Sequence, residues 1–389
     1  MELDELKNLV RDGAFGAITL DTSIFENQGL KLESGLLKQL EQFRDSSTSL
    51  ILSEIVKEEV LSHLTEKTKG AKREIEKSLK QARDCWQIEE HEIEKIKEQV
   101  FGKREVQEIV TERFNQFAKA TYLEVVEAQN HLIVSDLIQR YFRSEPPFSE
   151  KGKKKNEFPD AIALISLEAW ANKNRTRVIV VTSDNDWKNF CESSDNLYIS
   201  DDLAEALGLF QLQDADDICK YLSEKYEFGE LENVKEAIVN VLESEIYNSD
   251  IYGSIYAESH YRYEEEITEI KVNEFQFESI ELLDTIFRPI NFNDDRLTVE
   301  SKLSVNVDIE CSFSFFIYDS FDREDMQMGS NTVNTQADLD IKVLITFVGD
   351  LNRIGAEVEV DNVEIETKVS DSINFGFIGP DWEYRDNDY

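Results

Sequence analysis

Five acidic residues hold the chemistry open to this sequence: Asp21, Glu59, Asp160, Asp184 and Asp186. Carboxylates are hard oxygen donors, and Mg²⁺ binds through a few of them while keeping several waters. Acids gathered in one place repel and raise one another's pKa, so they are stable together only with a cation among them. A cation held in that way activates a water for in-line attack and stabilises a leaving oxygen, which is hydrolysis of a phosphodiester. The four histidines are scattered without metal-ligand spacing, and Cys85, Cys191, Cys219 and Cys311 form no Cys-x-x-Cys pair. A thiolate zinc site and a disulfide framework are therefore not expected, and a metal would have to be held by carboxylates.

The elements that must position these acids are legible in the pattern. The apolar run from Ala14 to Leu20 reads as a buried parallel strand that ends on Asp21. Arg177-Val-Ile-Val-Val-Thr-Ser-Asp184-Asn-Asp186-Trp187 repeats that logic, with two acids at the strand's carboxyl end, where open α/β sheets hold ligands. The ordinary reading of a single Asp at either place is a turn or helix-capping residue. Between them, Leu50–Ser53 is a second short strand. A helix follows, with its apolar stripe at Ile55, Val56, Val60, Leu61 and Leu64. Glu59 lies beside the stripe and can face a cleft, whereas Glu58 is roughly 100° further round and is the second choice. Asp160 opens a helix running to Lys173, with Ile162, Ile165 and Ala169 expected in the core, and a helix N-terminus favours an acid. Lys151, Lys153, Lys154 and Lys155 precede it and are candidate phosphate contacts. Ser23, Thr182 and Ser183 are candidates to orient a water or a phosphate.

Two domains are expected: 1–225, with a charged helical insertion at about 65–150, and 226–389. The net charge of −39 is concentrated in the second, which carries 38 acids against 11 bases. There Tyr, Phe, Ile, Val and Thr alternate with acids, as in Leu297–Ile317, which predicts long antiparallel strands with one wet face. So acidic a face is unsuited to nucleic acid and points to a protein partner or a regulatory role. No apolar run of eighteen residues and no signal-like N-terminus is present, so a cytoplasmic protein without a membrane contact is expected.

The motifs together resemble the PIN-domain nuclease superfamily, in particular its bacterial branch with a C-terminal extension, over about residues 15–210. The resemblance rests on Asp21-Thr-Ser, Ile55-Val-Lys-Glu-Glu59-Val, Phe158-Pro-Asp160-Ala-Ile and Val181-Thr-Ser-Asp184-Asn-Asp186-Trp. It implies a doubly wound α/β fold around a mostly parallel sheet, followed here by the acidic antiparallel β domain. It also implies Mg²⁺ or Mn²⁺ held by Asp21, Glu59, Asp160 and Asp184, with Asp186 as a further ligand or support. The implied activity is hydrolysis of nucleic acid, RNA before DNA, as a toxin or defence effector in a bacterial setting, with homo-oligomerisation common among relatives. The competing expectation is a catalytically silent binding module acting through the β domain.

Overall fold

A computed structural model describes residues 3–148, 158–248, 255–280, 285–293, 295–319, 324–351, 358–366 and 373–385. The chain divides into two compact units, Met1–Phe210 and Gln211–Tyr389.

The first unit is a five-stranded, all-parallel sheet with helices around it. Its elements are α1 (Leu3–Arg11), β1 (Phe15–Leu20), α2 (Thr22–Asn27), α3 (Gly35–Gln39), β2 (Ser49–Ser53), α4 (Glu54–Trp86), α5 (Glu90–Phe101), α6 (Val106–Thr121), β3 (Glu124–Val126), α7 (Ala128–His131), α8 (Val134–Arg143), α9 (Phe158–Asn174), β4 (Arg177–Val181), α10 (Asn185–Glu192), β5 (Leu197–Ser200) and α11 (Leu203–Gly208). The strand order is β3-β2-β1-β4-β5. From β1 the chain builds outward on one side through β2 and β3, then returns to the other side of β1 with β4. The topological switch point therefore lies between β1 and β4, and a crevice outside their carboxyl ends is where such sheets hold ligands.

The continuous apolar runs make sense as central strands. Ala17, Ile18, Leu20 and Val178 through Val181 are wholly buried, as parallel strands covered on both faces must be. β1 and β4 pair in register from Ala17–Val178 to Leu20–Val181. At the irregular step before that register, Gly16 N–H donates to Thr176 Oγ1 at 2.8 Å. A Cβ on Gly16 would lie 2.6 Å from that oxygen, with the other Thr176 side-chain atoms within 3.3 Å. Gly16→Ala is therefore expected to destabilise the protein by about 1–3 kcal/mol, measurable as a lower urea midpoint; an unchanged midpoint would contradict the close approach.

α4 begins where Ser53 Oγ accepts from the N–H groups of Ile55 and Val56, at 3.2 and 3.3 Å. Val56, Val60, Leu64 and Thr65 are its buried residues, all near its N-terminal end. At 1.5 Å per residue its 33 residues run about 50 Å. α5 and α6 pack back against it, burying Ile93, Val110, Phe114 and Phe117. The stretch expected to be helical from about 65 to 150 thus holds three helices in its first part, broken at Gly102, and also the short strand β3.

α9 corrects the expected core face. Ile162 and Ala169 are only half-buried, while Ala161, Ala163, Leu164, Ile165, Ser166, Leu167, Trp170 and Ala171 are buried. α7, α10, α4, β2 and β3 all pack against this helix. A helix covered on so many sides has no single apolar stripe for periodicity to find.

The second unit contains α12 (Gln213–Glu227), α13 (Glu232–Asn248), β6 (Ile255–Glu258), β7 (Arg262–Glu278), β8 (Arg288–Asn293), β9 (Arg296–Asp319), β10 (Glu324–Val348), β11 (Glu359–Ile365), β12 (Ile373–Phe377) and α14 (Asp381–Arg385). β11, β10, β9 and β7 form an antiparallel sheet in that order, β8 pairs with β9, and β6 and β12 form a parallel pair. β9 alternates as its sequence requires: Leu303, Val305, Val307, Ile309, Cys311, Phe313 and Phe315 are buried and the residues between them are not. α12 and α13 contribute Cys219, Leu222, Val234, Ile238 and Leu242 to the same core. Among the described residues no helix is long and apolar enough to cross a membrane.

Candidate active site

Asp21 stands one residue beyond β1, and its N–H donates to Val181 O at 2.9 Å, carrying the β1–β4 ladder one step further. Its side chain is thereby fixed at the switch point and is only 6% exposed. Oδ1 accepts from Thr22 N–H at 2.6 Å, and Oδ2 accepts from Ser23 Oγ at 2.6 Å and Thr182 Oγ1 at 3.1 Å. Thr182, fully buried, also accepts the N–H of Asp184 at 2.9 Å, so one hydroxyl ties the two loops that follow β1 and β4. Ser183 Oγ adds a further link, donating to Ser23 Oγ at 3.1 Å.

The other acids arrive from separate elements. Glu59, half-buried in the second turn of α4, accepts at Oε2 from Thr22 Oγ1 at 2.6 Å. Its neighbour Glu58 is exposed and pairs with Lys57 at 3.1 Å. Asp160 lies in the first turn of α9. Its Oδ1 accepts from the indole N–H of Trp187 at 2.9 Å. Asp184 caps α10, with Oδ1 accepting from the N–H groups of Asp186 and Trp187 at 2.6 and 3.3 Å. Asp186 therefore supports Asp184 through its backbone, and its half-buried side chain sits in the first turn of α10.

The electrostatics record how near one another these groups are. Burial pushes the Asp160 carboxyl up to about 6, and repulsion from Asp21, Asp184 and Glu59 pushes the same way, against the opposing pull of the Trp187 N–H. Asp21 is also raised, first by burial and in smaller part by Asp184, although the donors from Ser23, Thr182 and Thr22 oppose this. Four carboxylates from four separate stretches of chain thus lie near enough to one another, beyond the carboxyl ends of β1 and β4, for the other three to act on Asp160. Among the described residues, no three His, Cys, Asp or Glu side chains already stand close enough to grip one ion. The arrangement is an open one, in which several oxygens already accept protein hydrogen bonds. An all-oxygen donor set of this kind suits a hard cation that retains part of its water shell.

Two of the acids carry the ordinary role as well. Asp21 and Asp184 are both helix N-caps, so capping and membership of the crevice are not alternatives here. Ser23 and Thr182 are turned toward Asp21, and Ser183 toward Ser23. Lys151, Lys153, Lys154 and Lys155 lie outside the described residues. Sequence reasoning gave no role to Thr22 or Trp187. For Thr22 the available signal was its place directly after the strand-end acid, and for Trp187 an N–H-bearing ring directly after Asp-x-Asp.

A family model described as a PIN domain matches residues 18–187, a span that runs from within β1 to Trp187 and contains all four acids. Comparison with curated proteins and with solved structures gives no match. PIN domains are generally nucleases and typically use divalent metal ions. The first unit, a parallel sheet with helices around it, is thus PIN-like over residues 18–187.

Proposed function

We propose that the first unit is a metal-dependent phosphodiesterase that cleaves nucleic acid, RNA in preference to DNA. The observation that supports this most is the convergence of Asp21, Glu59, Asp160 and Asp184 at the β1–β4 switch point, with Asp160 pushed up to about 6. Structural need does not account for it. Two caps explain two acids, and although Asp160 accepts from the buried indole N–H of Trp187 and Glu59 from Thr22, a neutral acceptor would satisfy either donor without placing four negative charges together. Carboxyls raised by burial and, in smaller part, by neighbouring acids, as Asp160 and Asp21 are, cluster at functional sites.

Asp21, Glu59, Asp160 and Asp184 are the residues that would hold Mg²⁺ or Mn²⁺, with Asp186 supporting Asp184. When bound, such a cation supplies charge for the phosphoryl oxygens and lowers the pKa of a coordinated water. The chain's own part is to keep the oxygens in place beforehand. Thr182 and Ser23 hold Asp21, and Thr22 holds Glu59, through hydrogen bonds of 2.6–3.1 Å. Lys151, Lys153, Lys154 and Lys155, close to Asp160 in sequence, would offset the repulsion between this acidic crevice and a polyanion. The second unit, strongly acidic, takes a protein partner rather than substrate, and a cytoplasmic toxin or defence effector fits the whole.

The test is cleavage of end-labelled single-stranded RNA and DNA by the purified full chain with Mg²⁺, Mn²⁺ or EDTA. Metal-dependent cutting, faster on RNA, is the expected result. No cutting of either polymer with either metal would overturn the enzyme reading in favour of a silent binding module.

A further inference from the structure

Trp187 touches two of the four acids at once. Its backbone N–H donates to Asp184 Oδ1 at 3.3 Å, and its indole N–H donates to Asp160 Oδ1 at 2.9 Å. The side chain is 1% exposed and lies on α10, which packs against α9. An indole N–H can only donate, and a buried one must find an acceptor. Here the acceptor is a carboxylate already under repulsion from three neighbours. One rigid, buried residue thus sets where the first turn of α9 stands relative to the cap of α10. It also fixes which oxygen of Asp160 faces the protein.

We propose that Trp187 is a positioning residue for the divalent cation, holding Oδ1 of Asp160 so that the second oxygen is presented to the ion at a fixed distance from Asp184. This rests on the metal-dependent reading above and deepens it. The residue is not a ligand and takes no part in bond making. Its contribution is to orient one ligand, a role whose loss ordinarily lowers metal affinity by about 10- to 100-fold. A purely structural role, filling the space between α9 and α10, would leave metal affinity independent of the N–H.

Mn²⁺ titration calorimetry on the full chain separates these. Trp187→Phe keeps a large apolar ring and removes the donor, and Trp187→Met serves as a second apolar filler should the first fail to fold. The control is Phe190→Leu, a fully buried change on the same helix that leaves the indole in place. Folding of each variant is checked by its melting temperature without metal. The expected result is Mn²⁺ binding about 10-fold weaker in Trp187→Phe and within about twofold of wild type in Phe190→Leu. Equal affinity in Trp187→Phe and wild type, or equal loss in Phe190→Leu, would overturn the proposal while leaving the metal site standing. Absence of Mn²⁺ binding by the wild-type protein would overturn both.

Discussion

Asp160→Asn is expected to lower metal-dependent cleavage by about 10³-fold or more and, at the same time, to make the metal-free protein more stable. The loss follows from removing one of the four charges that would hold the cation; a thousandfold is about 4 kcal/mol of transition-state stabilisation, within what a bound cation supplies. The gain in stability follows from the cost of keeping that charge buried. Asp160 titrates at about 6 in the folded protein against an ordinary 3.8, so between these values the folded state binds the proton more tightly than the unfolded chain does. The contribution of Asp160 to the stability of the metal-free protein therefore falls as pH rises from about 4 to about 6 and is level above that. Asp21, also raised, contributes in the same direction. Because Asp160 keeps partial exposure, solvent screens its charge and the destabilisation is about 1–2 kcal/mol. Asn at this position can still accept from Trp187 but carries no charge. Its metal-free melting temperature at pH 7.5 should accordingly exceed that of wild type by a few degrees, with the difference disappearing near pH 4. A variant that cleaves at wild-type rate, or that melts lower than wild type at pH 7.5, would contradict this.

Glu300→Ala is expected to cost the second unit about 3–5 kcal/mol, the range for breaking a buried ion pair by removing one partner. Glu300 lies on β9, 1% exposed, where β9 pairs with β8 on one side and β10 on the other. Its Oε2 accepts from Arg288 Nη1 at 2.8 Å, and Lys342 Nζ is 3.2 Å from Oε1. Arg288 is directly opposite Glu300 in the β8–β9 register, and its side chain is 13% exposed. Alanine would take from that guanidinium the carboxylate opposite it. Replacing Glu300 and Arg288 together by apolar residues, Glu300→Leu with Arg288→Met, should recover most of the loss, because those two charges then need no solvation and Lys342, 29% exposed, still reaches water. Urea unfolding of the full chain, followed by circular dichroism, measures both variants. A loss under about 1 kcal/mol in Glu300→Ala would mean that water already reaches the pair.

The contrast between these two carboxyl sites bears on how the sequence reads. Nothing in Leu-Thr-Val-Glu300-Ser-Lys marks Glu300 as a buried charge, since in a period-two strand it occupies what looks like a wet position. It is covered by side chains from the strands beside it, Arg288 of β8 and Lys342 of β10, which its own sequence does not announce. The acids of the first unit were legible for the opposite reason. Asp21 and Asp184 end apolar runs that have to be central parallel strands, and such strand ends meet wherever the sheet reverses direction. Glu59 was singled out over Glu58 by helical angle alone, and Glu58 is the exposed one of the two. What pattern could not supply was the pairing of elements. β3 is three residues long, too short for any periodicity to show, and α9 is covered on too many sides to display a stripe. The first half of β10, Glu324 to Asp338, was likewise hidden, because its alternation is between polar residues and the register with β9 alone defines it. Trp187 and Thr22 gain their meaning from partners 27 and 37 residues away, contacts that no local reading can reach.

The four-carboxylate crevice is tested most directly by diffraction from crystals of the full chain soaked in Mn²⁺, with anomalous differences used to locate the ion. The account predicts Mn²⁺ in the crevice at the carboxyl ends of β1 and β4, within coordination distance of at least one oxygen of Asp160 and bridged by water to its neighbours. Mn²⁺ found only elsewhere on the protein, or no anomalous signal at that crevice at millimolar Mn²⁺, would contradict it.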